Sequence, residues 1–145
     1  MHITRYTDFS LRVLIYLAAQ GDRLSTIKEI AESYDISKNH LMKIVHQLNR
    51  KGYIETVRGK NGGIRLQMAP CDINIGILVR ETEDDLNIVE CFSTKNACKI
   101  SPVCGLRGMF GEAVDAFLKT LDQYTLEDVI PHAQQTQLLR ILQIS

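Results

Sequence analysis

Between Thr26 and Leu66 the chain is punctuated in a way that leaves few folds open. Thr26-Ile27-Lys28-Glu29 has the form of a capping box, in which a hydroxyl and a carboxylate reciprocally satisfy the free amides of a helix start. A short helix over about Ile27–Tyr34 follows, then a turn at Asp35-Ile36, then Ser37 as N-cap of a helix reaching about Lys51. In that second helix Leu41, Ile44, Val45 and Leu48 have helical spacing, which leaves Lys38, Asn39, His40, Lys43, His46 and Gln47 to face outward. Two short helices joined by a tight turn form a helix-turn-helix. Tyr53–Val57 is rich in β-formers and Ile64–Leu66 is its return strand. Arg58-Gly59-Lys60-Asn61-Gly62-Gly63 lies between them as a basic, glycine-rich hairpin tip. Residues 1–70 therefore read as a winged helix-turn-helix domain, with the helix-turn-helix at about 27–51 and the wing at about 53–66.

The remaining segments predict a mainly α chain. A first helix starts at Thr7 or Asp8 and ends at Gly21-Asp22, with Leu11, Leu14, Ile15 and Ala18 on one face. Beyond Pro70, Asn74 caps a helix over about Ile75–Glu83, so 71–101 reads as a linker helix followed by an irregular cysteine-bearing loop. Residues 102–145 then hold a long helix from Pro102 to about Leu121 and a last helix after Thr125, with Asp128 in the capping-box position. Val103, Leu106, Phe110, Ala113, Phe117 and Leu121 form one continuous apolar stripe along the long helix. Such a stripe has to be covered. Helix-turn-helix proteins that read palindromic sites need two copies about 34 Å apart, so a homodimer built on this helix is the expected cover.

Net charge is 0, but the two halves differ. Residues 1–70 hold 11 Lys and Arg against 6 Asp and Glu, whereas 71–145 hold 6 against 11. Within 36–66, Lys38, Lys43, Arg50, Lys51, Arg58, Lys60 and Arg65 face only Glu55, a local charge of +6. A cationic surface of this kind supplies the salt-dependent part of affinity for double-stranded DNA. Ser37, Lys38, Asn39, His40 and Lys43, at the start and in the first two turns of this helix, are placed to meet base edges and phosphates, with Asn39 and His40 the better base readers. Arg58, Lys60 and Asn61 sit at a wing tip suited to a narrow minor groove.

No apolar stretch approaches the roughly 20 residues that cross a bilayer. Val13–Ala19 belongs to an amphipathic pattern interrupted upstream by Asp8 and Arg12, so no membrane partner and a cytoplasmic location are expected. In a reducing compartment the four cysteines read as thiols or ligands. Cys91, Cys98 and Cys104 are spaced C-x6-C-x5-C in one polar loop, without the tight knuckles of zinc sites or the ferredoxin spacings. Soft thiolates at this longer spacing favour an iron–sulfur cluster. Zinc, a thiol–disulfide switch and three unrelated thiols stay open alongside it. A cluster of this kind usually wants a fourth protein ligand; Cys71, beside Pro70, reads instead as an ordinary semi-buried thiol. His2, His40, His46 and His132 lack nucleophile partners or metal spacing, so no enzyme is expected.

The opening Met1-His2-Ile3-Thr4-Arg5-Tyr6-Thr7-Asp8-Phe9-Ser10-Leu11-Arg12, the wing Val57–Leu66 and the loop Cys98-Lys99-Ile100-Ser101-Pro102-Val103-Cys104 together resemble the Rrf-type (BadM-like) iron–sulfur transcription regulators. Tyr124-Thr125-Leu126 extends the likeness to that family's nitric-oxide-sensing branch. The resemblance implies a homodimeric repressor with one cluster per subunit, [2Fe–2S] or [4Fe–4S], held by Cys91, Cys98 and Cys104. Asp8 of the partner subunit would serve as the fourth ligand. It further implies that nitrosylation releases DNA and derepresses genes of nitric-oxide detoxification. The family's iron–sulfur-assembly regulator has a His three residues after its last cysteine; here that position is Arg107, which stays protonated and cannot ligate. Alternatives are a regulator of the same family that responds to iron status, oxygen or thiol redox and, from another class, a small iron–sulfur redox protein, which leaves the basic wing unexplained.

Overall fold

The computed structural model describes residues 1–144. Helix α1 (Arg5–Gln20) begins about half a turn before the sequence reading, because Thr4 caps it: the Thr4 hydroxyl accepts from the Thr7 amide at 3.3 Å. It ends at Gly21, whose φ of +67° no β-substituted residue adopts cheaply. Helices α2 (Ile27–Tyr34) and α3 (Lys38–Arg50) follow, with the Thr26–Glu29 capping box formed and the Ser37 hydroxyl accepting from the His40 amide at 3.4 Å. Strands β1 (Ile54–Val57) and β2 (Gly63–Leu66) pair antiparallel with Ile54 opposite Leu66 and Val57 opposite Gly63. Ser25 bridges to Ile64 on the other side of β2. Gly62 is obligatory at the hairpin tip, since a Cβ there would lie 2.1 Å from the Val57 carbonyl oxygen.

The main core forms where α1, α3 and the small sheet meet. Val13, Leu14, Ile30, Leu41, Leu48, Ile54 and Leu78 are fully buried there. Helix α4 (Ile75–Thr82), capped by Asn74, packs on α1. The C-terminal segment returns to the same core through α6 (Leu126–Val129) and α7 (Gln135–Ile141), the first with the expected Thr125–Asp128 capping box.

Helix α5 (Leu106–Leu121) starts four residues later than the sequence pattern suggested. Pro102 is not its first residue, because Val103 and Cys104 donate back to the Ile100 carbonyl at 3.0 and 2.9 Å and close a separate turn. One side of α5 packs on α4, with Val114, Leu118 and Leu121 against Ile75 and Val79. The close approach depends on Gly76, where a Cβ would lie 1.9 Å from Asp122 Oδ1. Most of the anticipated stripe faces away from this contact. Among the described residues no helix is long and apolar enough to cross a membrane.

Candidate nucleic-acid interface and metal-ligand loop

The Ser37 cap fixes where α3 begins, and burial of Leu41, Ile44, Val45 and Leu48 fixes which way it faces. Lys38, Asn39, Lys43 and His46 are consequently exposed on the opposite side, as the spacing required. His40 differs. It is half-buried, with its ring packed edge-on against Phe9 of α1 at a centroid distance of 5.1 Å. The helical position of His40 lies at the flank of the outward face, where α1 is in reach. Met42 was passed over as a candidate although it is 49% exposed on the same face. An apolar residue outside the helix's own apolar stripe was the signal that could have singled it out.

At the wing, Arg58, Lys60 and Asn61 are all exposed at the hairpin tip. Arg65, further down the hairpin, is engaged by Glu55 across the ladder, so this pair cancels within the local charge. Among the described residues, Lys38, Lys43, Arg58 and Lys60 enter no ion pair. Two cationic features, the α3 face and the wing tip, are thus carried on one hydrophobic core. The base of the wing is tied to α4 by the Tyr53 hydroxyl, which donates to Glu81 Oε2 at 2.7 Å. Burial, together with this carboxylate, pushes the Tyr53 phenol well above its ordinary range, so it stays a donor.

The cysteines fall in the segment between α4 and α5. Cys91 lies in a 3-10 turn (Glu90–Phe92), and the following Phe92 ring reaches the Gly111 face of α5. Cys98 is exposed, Cys91 and Cys104 are half-buried, and all are free thiols. Cys71 is also free but exposed, not semi-buried, because the 3-10 turn Pro70–Asp72 runs over the surface. Three thiols in one irregular loop match the donor chemistry of an iron–sulfur group. Among the described residues no three His, Cys, Asp or Glu side chains are gathered around one point. The loop therefore offers ligands of the right type for such a group.

Asp8 is half-exposed on the first turn of α1 and pairs with Arg12 at 2.9 Å. The Arg12 guanidinium lies over the Phe9 ring at 5.2 Å, and the Arg12 carbonyl accepts from the Tyr34 hydroxyl of α2 at 2.8 Å. Asp8 is in this way connected through Arg12 and Phe9 to His40 on α3. Burial raises the Tyr34 phenol to about 12 despite the nearby Arg12, so this link also persists across the physiological range.

A family model described as Rrf2, iron-dependent transcriptional regulator, matches residues 3–132. The chain is 60% identical over 136 residues to the HTH-type transcriptional regulator NsrR of Bacillus subtilis, covering 92% of this chain and 93% of the relative. It is 50% identical to NsrR of Halalkalibacterium halodurans over 96% of this chain and 97% of the relative. Among solved structures, CymR (YrzC), the global cysteine regulator of B. subtilis, superposes with a TM-score of 0.70 at 26% identity, covering 89% of this chain and 95% of that one. T. potens IscR superposes with a TM-score of 0.75 at 22% identity, covering 94% and 91%, a likeness of fold.

Proposed function

The chain belongs to the Rrf2 family of transcriptional regulators, as a DNA-binding regulator and not an enzyme, and from that premise we propose that it is a homodimeric repressor whose iron–sulfur cluster senses nitric oxide. Cys91, Cys98 and Cys104 would hold one cluster per subunit, [2Fe–2S] or [4Fe–4S], with Asp8 of the partner subunit as the oxygen ligand. When bound, the cluster supplies iron that reacts with nitric oxide. The observation that carries this reading is the presence of three free thiols in one irregular loop of a chain whose helix-turn-helix and wing are intact.

The chain's own contacts supply a route from ligand to DNA. A carboxylate that held the partner's cluster would be withdrawn from Arg12, and Arg12 rests on the Phe9 ring that packs against His40. Gain or loss of the Asp8–Arg12 pair thereby bears on the orientation of α3, the helix assigned to the major groove. The second copy is assigned to the outer face of α5, where Leu106, Met109, Phe110 and Phe117 are exposed. With two reading heads fixed at one spacing, specific affinity depends on both docking together. Release of DNA on exposure to nitric oxide would derepress detoxification genes in the cytoplasm.

Protein purified without air should contain iron and inorganic sulfide and show a visible absorption band. Its affinity for a selected operator duplex should fall on addition of stoichiometric nitric oxide. Unchanged affinity rejects nitric oxide as the signal, and parallel additions of oxygen, peroxide and iron chelator identify a regulator of redox or iron status instead. Colourless, metal-free protein that still holds its operator at full strength rejects the cluster.

A further inference from the structure

On a helical wheel with Lys38 at 0°, the buried residues Leu41, Ile44, Val45 and Leu48 span about 240° to 340°. The exposed residues Lys38, Asn49, Met42, His46, Asn39, Arg50 and Lys43 span about 0° to 140°, and Met42 and His46 occupy the middle of that arc at about 40° and 80°. Met42 is one turn beyond Lys38 and lies between it and His46 on the surface, so its neighbours on this face are polar or cationic. Of these neighbours, Lys38 and Lys43 enter no ion pair among the described residues. An apolar side chain left 49% exposed inside a cationic face has a specific chemical counterpart on double-stranded DNA. The 5-methyl group of thymine is the apolar feature that a base pair presents in the major groove, and phosphates run along both sides of that groove.

We propose that Met42 is a specificity-determining residue that reads a thymine methyl group, with Lys38 and Lys43 seating the helix on the flanking phosphates. The choice of methionine is apt for this role, because an unbranched, polarisable thioether adapts to a small apolar target without requiring a shaped pocket. His40, packed against Phe9, is then a residue that positions α3, while Met42 lies at the centre of the reading face. The inference rests on the DNA-binding role assigned to α3, and it adds a preference for A·T pairs at one defined step of each half-site.

The test uses the full-length protein, isolated without air, and duplexes that it retains from a randomised pool. Deoxyuridine, which lacks the 5-methyl group, replaces thymidine one position at a time, and affinity is read by fluorescence anisotropy. One position per half-site should lose about 3- to 5-fold in affinity, the scale of one buried methyl group. In Met42→Ala that loss should vanish, with the salt dependence of binding unchanged; in Met42→Leu, which stays apolar, it should persist. The proposal is overturned if no thymidine is sensitive to the replacement, or if the sensitivity is undiminished in Met42→Ala. Failure to retain any duplex sinks the DNA-binding assignment of α3 and this inference with it, whereas retention without methyl sensitivity sinks this inference alone.

Discussion

The winged-helix half buries Leu14, Leu41, Ile44, Leu48 and Ile54 to 1% exposure or less, while α5 leaves Leu106, Met109, Phe110 and Phe117 between 38% and 65% exposed. The contrast extends to how the helices start. Helices α1, α2 and α3 each have a side-chain N-cap, whereas α5 begins at Gly105 with none and contains Gly108 and Gly111, each costing about 1 kcal/mol relative to Ala in a helix interior. The first region closes its core within one chain. The second has one packed side, against α4, and presents another to whatever lies outside. A helix with weak local signals and an uncovered apolar face is stabilised chiefly by what docks on it.

The largest effect should come from cutting into the self-sufficient region. Leu41→Ala removes a fully buried side chain from the α1–α3 contact and should cost about 2–5 kcal/mol in urea unfolding, with loss of DNA binding. A cost below about 1 kcal/mol would break the contrast, because the winged-helix core would then not be stabilising itself. Next in size is the outer face of α5. Phe110→Glu combined with Phe117→Glu should leave the winged-helix fold intact by circular dichroism while raising the dissociation constant of the proposed dimer about 100-fold in sedimentation. If that variant instead unfolds like Leu41→Ala, α5 is part of the monomer core and the division is wrong.

The smallest effect concerns the seam between the regions. Arg80 and Asp122 pair across the α4–α5 junction at 3.0 Å, and the hydrogen bond from Arg80 holds the Asp122 carboxyl below its ordinary 3.8. A folded pKa below the unfolded one means the contribution is present above 3.8 and is lost as pH falls through the depressed value. Stability should therefore decline more steeply in the wild type than in Asp122→Asn as pH falls below 3.8, so that the wild type's advantage near neutrality, small because the pair is solvent-screened, disappears in acid. Equal acid dependence would show that the packing of Gly76 against residue 122, and not the charge, holds the seam.

Much of the winged helix was legible because its signals are local. Thr26, Ser37 and Asn74 mark helix starts by chemistry that acts within three residues, and Gly62 at the wing tip is dictated by sterics inside one hairpin. The start of α5 was misplaced at Pro102 for the corresponding reason. Proline tolerates a first helical turn, but the backbone there closes onto Ile100 instead, and nothing in the local pattern distinguishes the two. The candidate site divides in the same way. The spacing in α3 placed Lys38, Asn39 and Lys43 outward, whereas the packing of His40 on Phe9 joins residues 31 positions apart and had no local trace.

By itself, then, the order of amino acids determined where the capped helices of the helix-turn-helix and the hairpin form, which side of α3 is apolar, and which residues carry thiol or cationic chemistry. The tertiary structure decided which of these groups meet: Asp8 with Arg12, Arg12 over Phe9, Phe9 against His40, and Tyr53 with Glu81. Caps, turns and periodicity are set by interactions within a turn or two of the chain, so they can be read along it. Contacts between elements depend on how close-packed side chains share one interior, and that arrangement exists only once the core has formed.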